Sequence, residues 1–444
     1  MGNLSFLSRA EIESLGPPTP EELEETGVSQ AFLRDLTLKH VASLANPTTS
    51  SVAEKLHLPL ALTDELLYEL YREKLIEIRL QSALGQTRYA MLDHGWEQVA
   101  RLQRHCGYAG PAPVTLNDYG YMMRLQASPS KPASMGAVRT AFNDLVLPES
   151  LLNTLGCAVN SRSSLFLTGL PGTGKTAVAE RMNAVLSGTL WIPHAIEIDG
   201  QVIRVYDVHN HRAVTEQTAL HEFDRRWIRI ERPMIVVGGE LTLENTDLVW
   251  SEYSRFYEAP FQMKSNGGTL VIDELGRQRV SCSDLLNRWI MPLEKRVDFL
   301  TLHSGKKIEV PFEQLVIFST NLDEKEFGDE AFLRRMGYRA RLELPTPGAY
   351  GEIFRRAATS RGLAVDHESI SYLLHKYGEE RRAMKCCEPR DLLNRMSDIC
   401  TFEGRPLQLS TSVIDAAWRN YFGAAHGFEA FNDFTQSASR AVSV

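Results

Sequence analysis

The chain has 444 residues, 43% apolar and 23% charged, the composition of an ordinary globular protein of about three domains with substantial cores. Its formal net charge of −8 argues against a surface that coats nucleic acid, although a local basic site is compatible with it. No apolar run approaches the roughly 18 residues that span a bilayer, so no membrane insertion is expected.

Targeting signals are not visible either. No signal-peptide pattern opens the chain, and Phe6 breaks the myristoylation motif that Met1-Gly2 begins. The cysteines (Cys106, Cys157, Cys282, Cys386, Cys387 and Cys400) contain no C-x-x-C pair and no metal-ligand spacing. Reduced thiols and a cytoplasmic location are the simplest account, with vicinal Cys386-Cys387 incidental.

Residues 1–25 read as a mobile leader, polar and interrupted by Pro17-Pro18-Thr19-Pro20, with Glu21, Glu22, Glu24 and Glu25 after it. Residues 26–105 read as a compact unit. One helix carries Phe32, Leu33, Leu36, Leu38 and Val41, and a short one follows Thr49-Ser50-Ser51. A third starts near Thr63, a good N-cap, and carries Leu66, Leu67, Leu70 and Leu75. Two strand-like runs, 76–80 and 88–92, flank a Gly-containing tip, and a last helix spans 93–104.

Three helices and a hairpin in this order resemble a winged helix, a shape that often binds DNA. The third helix, however, carries Asp64, Glu65, Glu69 and Glu73 against Arg72 and Lys74. Carboxylates there repel phosphate, so the reading favours a protein-docking or structural role over DNA binding. Residues 106–140 look like a linker, broken by Gly107, Gly110, Pro111, Pro113, Gly120, Pro129, Pro132 and Gly136.

The most informative stretch is Gly169-Leu170-Pro171-Gly172-Thr173-Gly174-Lys175-Thr176, which meets G-x-x-x-x-G-K-[ST] at every fixed position. An apolar strand precedes it and a helix follows. The glycines let backbone N–H groups face phosphate oxygens, and the helix adds its positive end. Lys175 would reach the β- and γ-phosphates of ATP, and the Thr176 hydroxyl would ligate Mg²⁺.

A second signature, Thr269-Leu270-Val271-Ile272-Asp273-Glu274, is a strand ending in two carboxylates. Asp273 suits the Mg²⁺ shell and Glu274 the activation of water. The run Leu315–Phe318 ends in Ser319-Thr320-Asn321, where Asn321 is placed to bond the attacking water or the γ-phosphate. Arg334 and Arg335 then suit stabilisation of charge on the transferred phosphoryl group, or form a solvated basic turn.

This order of parts resembles the AAA+ ATPases over about residues 140–423. The resemblance implies an α/β fold: a P-loop AAA+ parallel sheet with helices on both faces (141–345), a small helical lid (346–423) and the N-terminal winged-helix-like domain. It implies ATP and Mg²⁺ as ligands, and a ring, as a hexamer, in which neighbours complete each site. Pro171 and Thr173 belong to its phosphate loop. In the lid, Glu388-Pro389-Arg390 opens a helix where the family carries a sensor arginine, so Arg390 takes that place, with Arg381, Arg382 and Lys385 as alternatives.

Lys175 and Asp273 stand 98 positions apart, wider than the family's usual spacing. One inserted part, Ala195–Val205, is a hairpin signal around Asp199-Gly200. A second hairpin, 299–310, precedes the Asn321 strand. These elaborations are similar to the MoxR-type branch. Val271–Gln278 and Ile290–Val297 look like a bacterial group described as ATPases with chaperone activity.

His209-Asn210-His211 lacks a further ligand at metal spacing, and Arg225-Arg226-Trp227-Ile228-Arg229 reads as a solvated or interface strand. Residues 424–444 read as a loose tail. The expectation is an ATP-hydrolysing ring that remodels a protein or complex. The rivals are a DNA-acting motor or regulator and a nucleotide-dependent scaffold with little turnover.

Overall fold

The computed structural model describes residues 8, 9, 11, 12, 16–81, 87–127, 131–214, 223–322 and 334–423. The expected loose tail, the tip of the first hairpin and most of the expected leader's first fifteen residues lie outside this set.

The described part of the leader packs against the rest of the chain. Leu23 joins the core of the N-terminal helices, Gly16 lies against the Trp191 ring, and Asp224 N donates to Pro17 O at 2.8 Å. Widely spaced apolar residues anchor it to surfaces that no local periodicity reveals. Helix α1 (Gln30–Ser43) starts where the Ser29 hydroxyl accepts from Phe32 N, and α2 (Thr49–Leu56) where Thr48 and Ser51 form a capping box. Helix α3 spans Leu60–Arg72. It starts three residues earlier than expected: Thr63 is no cap but lies buried in the first turn, its hydroxyl on Pro59 O at 3.0 Å. Strands β1 (Ile76–Gln81) and β2 (Thr87–Met91) pair antiparallel before α4 (Asp93–His105). Leu33, Leu36, Leu56, Leu66, Leu70 and Ile76 make the core of this unit.

The expected linker is largely ordered structure. Gly107, Gly110, Pro111 and Pro113 lie in the irregular stretch 107–113, whereas Gly120 and Gly136 fall inside the helices that follow. After that stretch come β3 (Val114–Thr115), α5 (Leu116–Gln126) and α6 (Met135–Ala141). Tyr119, Met122 and Met123 on α5 are buried, and the Gln126 amide exchanges two hydrogen bonds with the Trp191 backbone, at 2.7 and 3.0 Å.

The α/β core follows. Its elements are α7 (Glu149–Ser161), β4 (Leu165–Gly169), α8 (Lys175–Leu186), and then β5 (Thr189–Pro193), β6 (Ala195–Ile198), β7 (Gln201–Arg204), β8 (Trp227–Glu231) and β9 (Met234–Val237). Next are β10 (Val249–Trp250), β11 (Tyr257–Glu258), α9 (Phe261–Lys264), β12 (Thr269–Ile272), α10 (Cys282–Lys295), β13 (Val297–Thr301), β14 (Lys307–Pro311), β15 (Leu315–Thr320) and β16 (Tyr338–Leu342). Five strands form a wholly parallel sheet in the order β16-β4-β15-β12-β9. Side chains alternate across it. Leu165 and Leu167 meet α6, α7 and α8, whereas Phe166 and Leu270 meet Leu285 and Trp289 of α10.

The insert builds a second sheet, β10-β11-β7-β6-β3, that takes its edge strand from the expected linker. The β6–β7 hairpin turns at Asp199 and Gly200, both with positive φ (52° and 78°), and β13–β14 supplies the second hairpin. Arg226 is neither solvated nor exposed. It is buried against Asp224 at 2.8 Å and its Nη1 donates to Thr26 O and Pro113 O, joining three segments. Helices α11 (Pro347–Thr359), α12 (His367–Glu379), α13 (Glu388–Phe402) and α14 (Thr411–Phe422) pack around Tyr350, Phe354, Tyr377 and Trp418. Among the described residues no helix is long and apolar enough to cross a membrane.

Candidate active site

The site forms at the carboxyl ends of the parallel strands, where loops leave the sheet. Between β4 and α8, Gly172 and Gly174 have φ of 84° and 95°, a conformation that side chains with a Cβ avoid. A Cβ on Gly172 would stand 2.8 Å from Cys387 Sγ, so the loop is also tightly backed by the lid. Cys387 N donates to Gly172 O at 3.1 Å.

Lys175 is buried as the first residue of α8. Its ammonium donates to Gly169 O at 2.7 Å, to Leu170 O at 3.2 Å and to Asn321 Oδ1 at 2.5 Å. Burial lowers its pKa, opposed by the nearby charges of Asp273 and Glu274. The Thr176 hydroxyl donates to Asp273 Oδ2 at 2.9 Å, so the loop and the acidic strand end meet directly. A hydroxyl and a carboxylate side by side are hard oxygen donors of the kind Mg²⁺ takes.

Glu274 leaves the strand with a φ of 52°, and its carboxylate lies 3.5 Å from Arg277 Nη1. Gln278 closes this turn. Its amide nitrogen donates to Asp273 O at 3.0 Å and Glu274 O at 3.3 Å, and its oxygen accepts from Gly276 N at 2.8 Å. Asn321 follows β15, the strand between β12 and β4.

These groups line one cavity of about 450 Å³. Pro171, Gly172, Thr173, Gly174, Lys175 and Thr176 form its floor, Asp273, Glu274 and Asn321 one wall, and Arg390 and Ile353 the lid side. Gly169 stands just below, holding Lys175 through its carbonyl. Residues 144–147 close the remaining side; Arg181 grips Asp144 at 2.6 Å, and Arg356 of α11 donates to Asn143 O at 2.7 Å.

Not every expected residue arrives there. Arg334 and Arg335 do not line the cavity; Arg334 is exposed, and Arg335 lies 3.5 Å from Glu294 of α10. Of the alternatives to Arg390, Arg382 pairs with Glu380 at 2.5 Å and covers the Phe422 ring, which turns it into the lid. Sequence reasoning gave Gln278 no role, and Cys386 and Cys387, read there as an incidental pair, stand on the cavity wall. His211 makes a protein contact through each ring nitrogen, to Asp207 N at 3.0 Å and Lys264 O at 2.8 Å.

Residues 164–336 match the AAA domain of the dynein-related subfamily, and residues 346–420 match a domain of unknown function, DUF8689. No curated protein matches the chain in sequence. Among solved structures, the chain is similar to the Thermotoga maritima RuvB Holliday junction branch migration motor, at 16% identity and a TM-score of 0.35 over 61% of this chain and 67% of that one. It is also similar to Brucella abortus NtrX in complex with ATP, at 13% identity and a TM-score of 0.38 over 62% of this chain and 56% of that one. The domain match, the parallel sheet with helices on both faces and the phosphate loop between β4 and α8 give this part of the chain the AAA+ P-loop fold, with a helical region after it.

Proposed function

We propose that the chain is an ATP-hydrolysing AAA+ protein of the MoxR-like branch that works as a hexameric ring in the cytoplasm and remodels a protein or protein complex. The observation that carries the catalytic part is the convergence of Lys175, the Thr176–Asp273 pair, Glu274 and Asn321 on one cavity floored by the phosphate loop.

In this reading the loop's N–H groups and the Lys175 ammonium bind phosphate oxygens, and Lys175 exchanges its present carbonyl partners for them. Thr176 and Asp273 hold Mg²⁺, which when bound neutralises charge on the phosphates. Glu274 takes a proton from the attacking water. Asn321 orients that water or the γ-phosphate, and Arg390 couples nucleotide to the lid. Arg334 or Arg335 serves the site of the next subunit.

Residues 26–105, read as a winged-helix-like unit, dock the client or a partner. Supporting a protein rather than DNA there, α3 exposes Leu60, Tyr68 and Tyr71 beside Asp64 and Glu65. The test is a Glu274→Gln variant of the full chain, loaded with ATP and used for affinity capture. It should keep ATP bound while hydrolysis falls by roughly 10²-fold, the scale of a lost general base, whereas Lys175→Ala should lose binding. Hydrolysis at the parental rate would remove the catalytic assignment. Nucleic acid as the captured species would favour the DNA-acting reading.

A further inference from the structure

At the opposite end of the parallel strands, where they begin, lies a cluster of arginines that ATP chemistry leaves without a task. Arg162 ends α7 with a φ of 52° and is 3% exposed. Among the described residues its Nε, Nη1 and Nη2 have no hydrogen-bond partner. Gln314 stands just before β15, fully buried, and both atoms of its side-chain amide are likewise without a partner there.

Arg296, at the end of α10, ties the two together. Its Nη2 donates to Arg162 O at 2.8 Å and its Nη1 to Gln314 O at 3.3 Å. Since β4 and β15 are paired neighbours, Arg162 and Gln314 guard adjacent strand entrances. The charges that act on Arg162 are mostly of its own sign: Arg232, Arg296 and Arg9, against Glu313. Burial, reinforced by those arginines, pulls the Arg162 pKa down to about 9, still above physiological pH. Burial pushes the Glu313 pKa up, opposed by Arg296, Arg162 and Arg124, so one carboxylate faces several arginines.

A guanidinium that stays cationic in a dry interior, with its donors unused, is among the costliest arrangements a fold can hold. Water would satisfy the donors but bring no charge to set against the surplus of arginines over Glu313. We infer that Arg162 and Gln314 form a binding site for one buried monovalent inorganic anion of about the size of chloride. The near-complete burial leaves a bulky ligand no way to remain partly solvated, and a dianion carries a far larger desolvation penalty. The guanidinium supplies up to three N–H directions and the charge, and the Gln314 amide a further donor. Bound there, the ion braces the entrances of β4 and β15, whose far ends carry Gly169 and Asn321.

The test uses the full chain exchanged into sodium gluconate, then titrated with sodium chloride at constant ionic strength while thermal unfolding is followed. The parental Tm should rise saturably by about 2 °C or more, as expected for a ligand that binds the folded state alone. Arg162→Met should show no such rise. Crystals soaked in sodium bromide should give an anomalous peak within hydrogen-bonding distance of the Arg162 guanidinium. Parallel chloride responses in the two proteins, or no bromide at that position, would overturn the assignment. If Arg162→Met does not fold, the bromide map of the parental protein decides alone.

Discussion

Glu274 combines the carboxylate proposed to activate water with a left-handed backbone, a conformation that costs a residue bearing a Cβ about 1–2 kcal/mol. The strain persists because the turn is held from several sides: Leu275 N donates to Ser319 O at 2.8 Å, and Gln278 bonds both flanking carbonyls. Gln278 is therefore expected to position Glu274 without touching nucleotide. Replacing it with Ala should lower kcat by about tenfold, a loss of about 1.4 kcal/mol in the transition state, while KM for ATP stays within about twofold. Steady-state ATPase kinetics separate the two parameters, and an equal loss in nucleotide affinity would make Gln278 a general scaffold residue. The residues of the phosphate loop and the Asp273-Glu274 pair were legible because each motif is contiguous and its spacing is imposed by phosphate geometry. Gln278 was not, since its task exists only once the turn has closed. The place of Cys386 and Cys387 was hidden for a similar reason: nothing in their spacing shows that the start of α13 abuts Gly172.

Among the elements, α5 shows how local punctuation can hide a core helix. Tyr119, Met122, Met123 and Gln126 follow a helical period, yet Gly and Pro on both sides suggested a linker. The distinguishing information is tertiary. Tyr119 is fully buried and its hydroxyl accepts from Asn266 Nδ2 at 2.7 Å, so the helix is part of the insert's core. Tyr119→Ala should destabilise the protein by about 3–5 kcal/mol in chemical denaturation, and a loss below about 1 kcal/mol would return the segment to linker status. Another junction, between α2 and the insert, titrates. The His57 and His194 rings meet edge-on at 4.9 Å, and burial first, then the neighbouring His57, lowers the His194 pKa to about 4. The unfolded chain then binds more protons than the folded one between about pH 4 and 6.5, so stability is complete above pH 6.5 and drains away as pH falls. At pH 5 this difference is about 2 kcal/mol at most, and His194→Phe, which keeps an aromatic ring there, should flatten the acid limb. Urea unfolding of both proteins from pH 7.5 to 4.5 checks it, and identical slopes would acquit His194.

On the scale of the whole molecule, the order of parts was readable because strands, phosphate loop and acidic strand end follow one another along the chain. How the N-terminal unit attaches was not, because that joint is made of single residues far apart in sequence: β3 pairing with β6, Ala195 and Val202 in the N-terminal core, Arg226 reaching Thr26 and Pro113. The proposed ring has a consequence that concerns more than one copy. Arg334 and Arg335 stand away from the cavity that holds Lys175, and the Arg335–Glu294 contact draws one of them toward α10. Neither is placed to meet a γ-phosphate bound in its own subunit, and an arginine supplied by a neighbour can be worth about 10³–10⁵ in rate for phosphoryl transfer. An Arg334→Ala/Arg335→Ala double variant should therefore bind ATP and hydrolyse it poorly. A Lys175→Ala variant keeps its arginines but loses its phosphate clamp. Mixed and allowed to exchange subunits, the two should regain partial ATPase activity, because some interfaces then join an intact cavity to intact arginines. Activity should peak at intermediate ratios and vanish for either variant alone. With exchange verified by a fluorescence energy-transfer pair, a flat response across all ratios would mean that the arginines act within their own subunit or only hold subunits together.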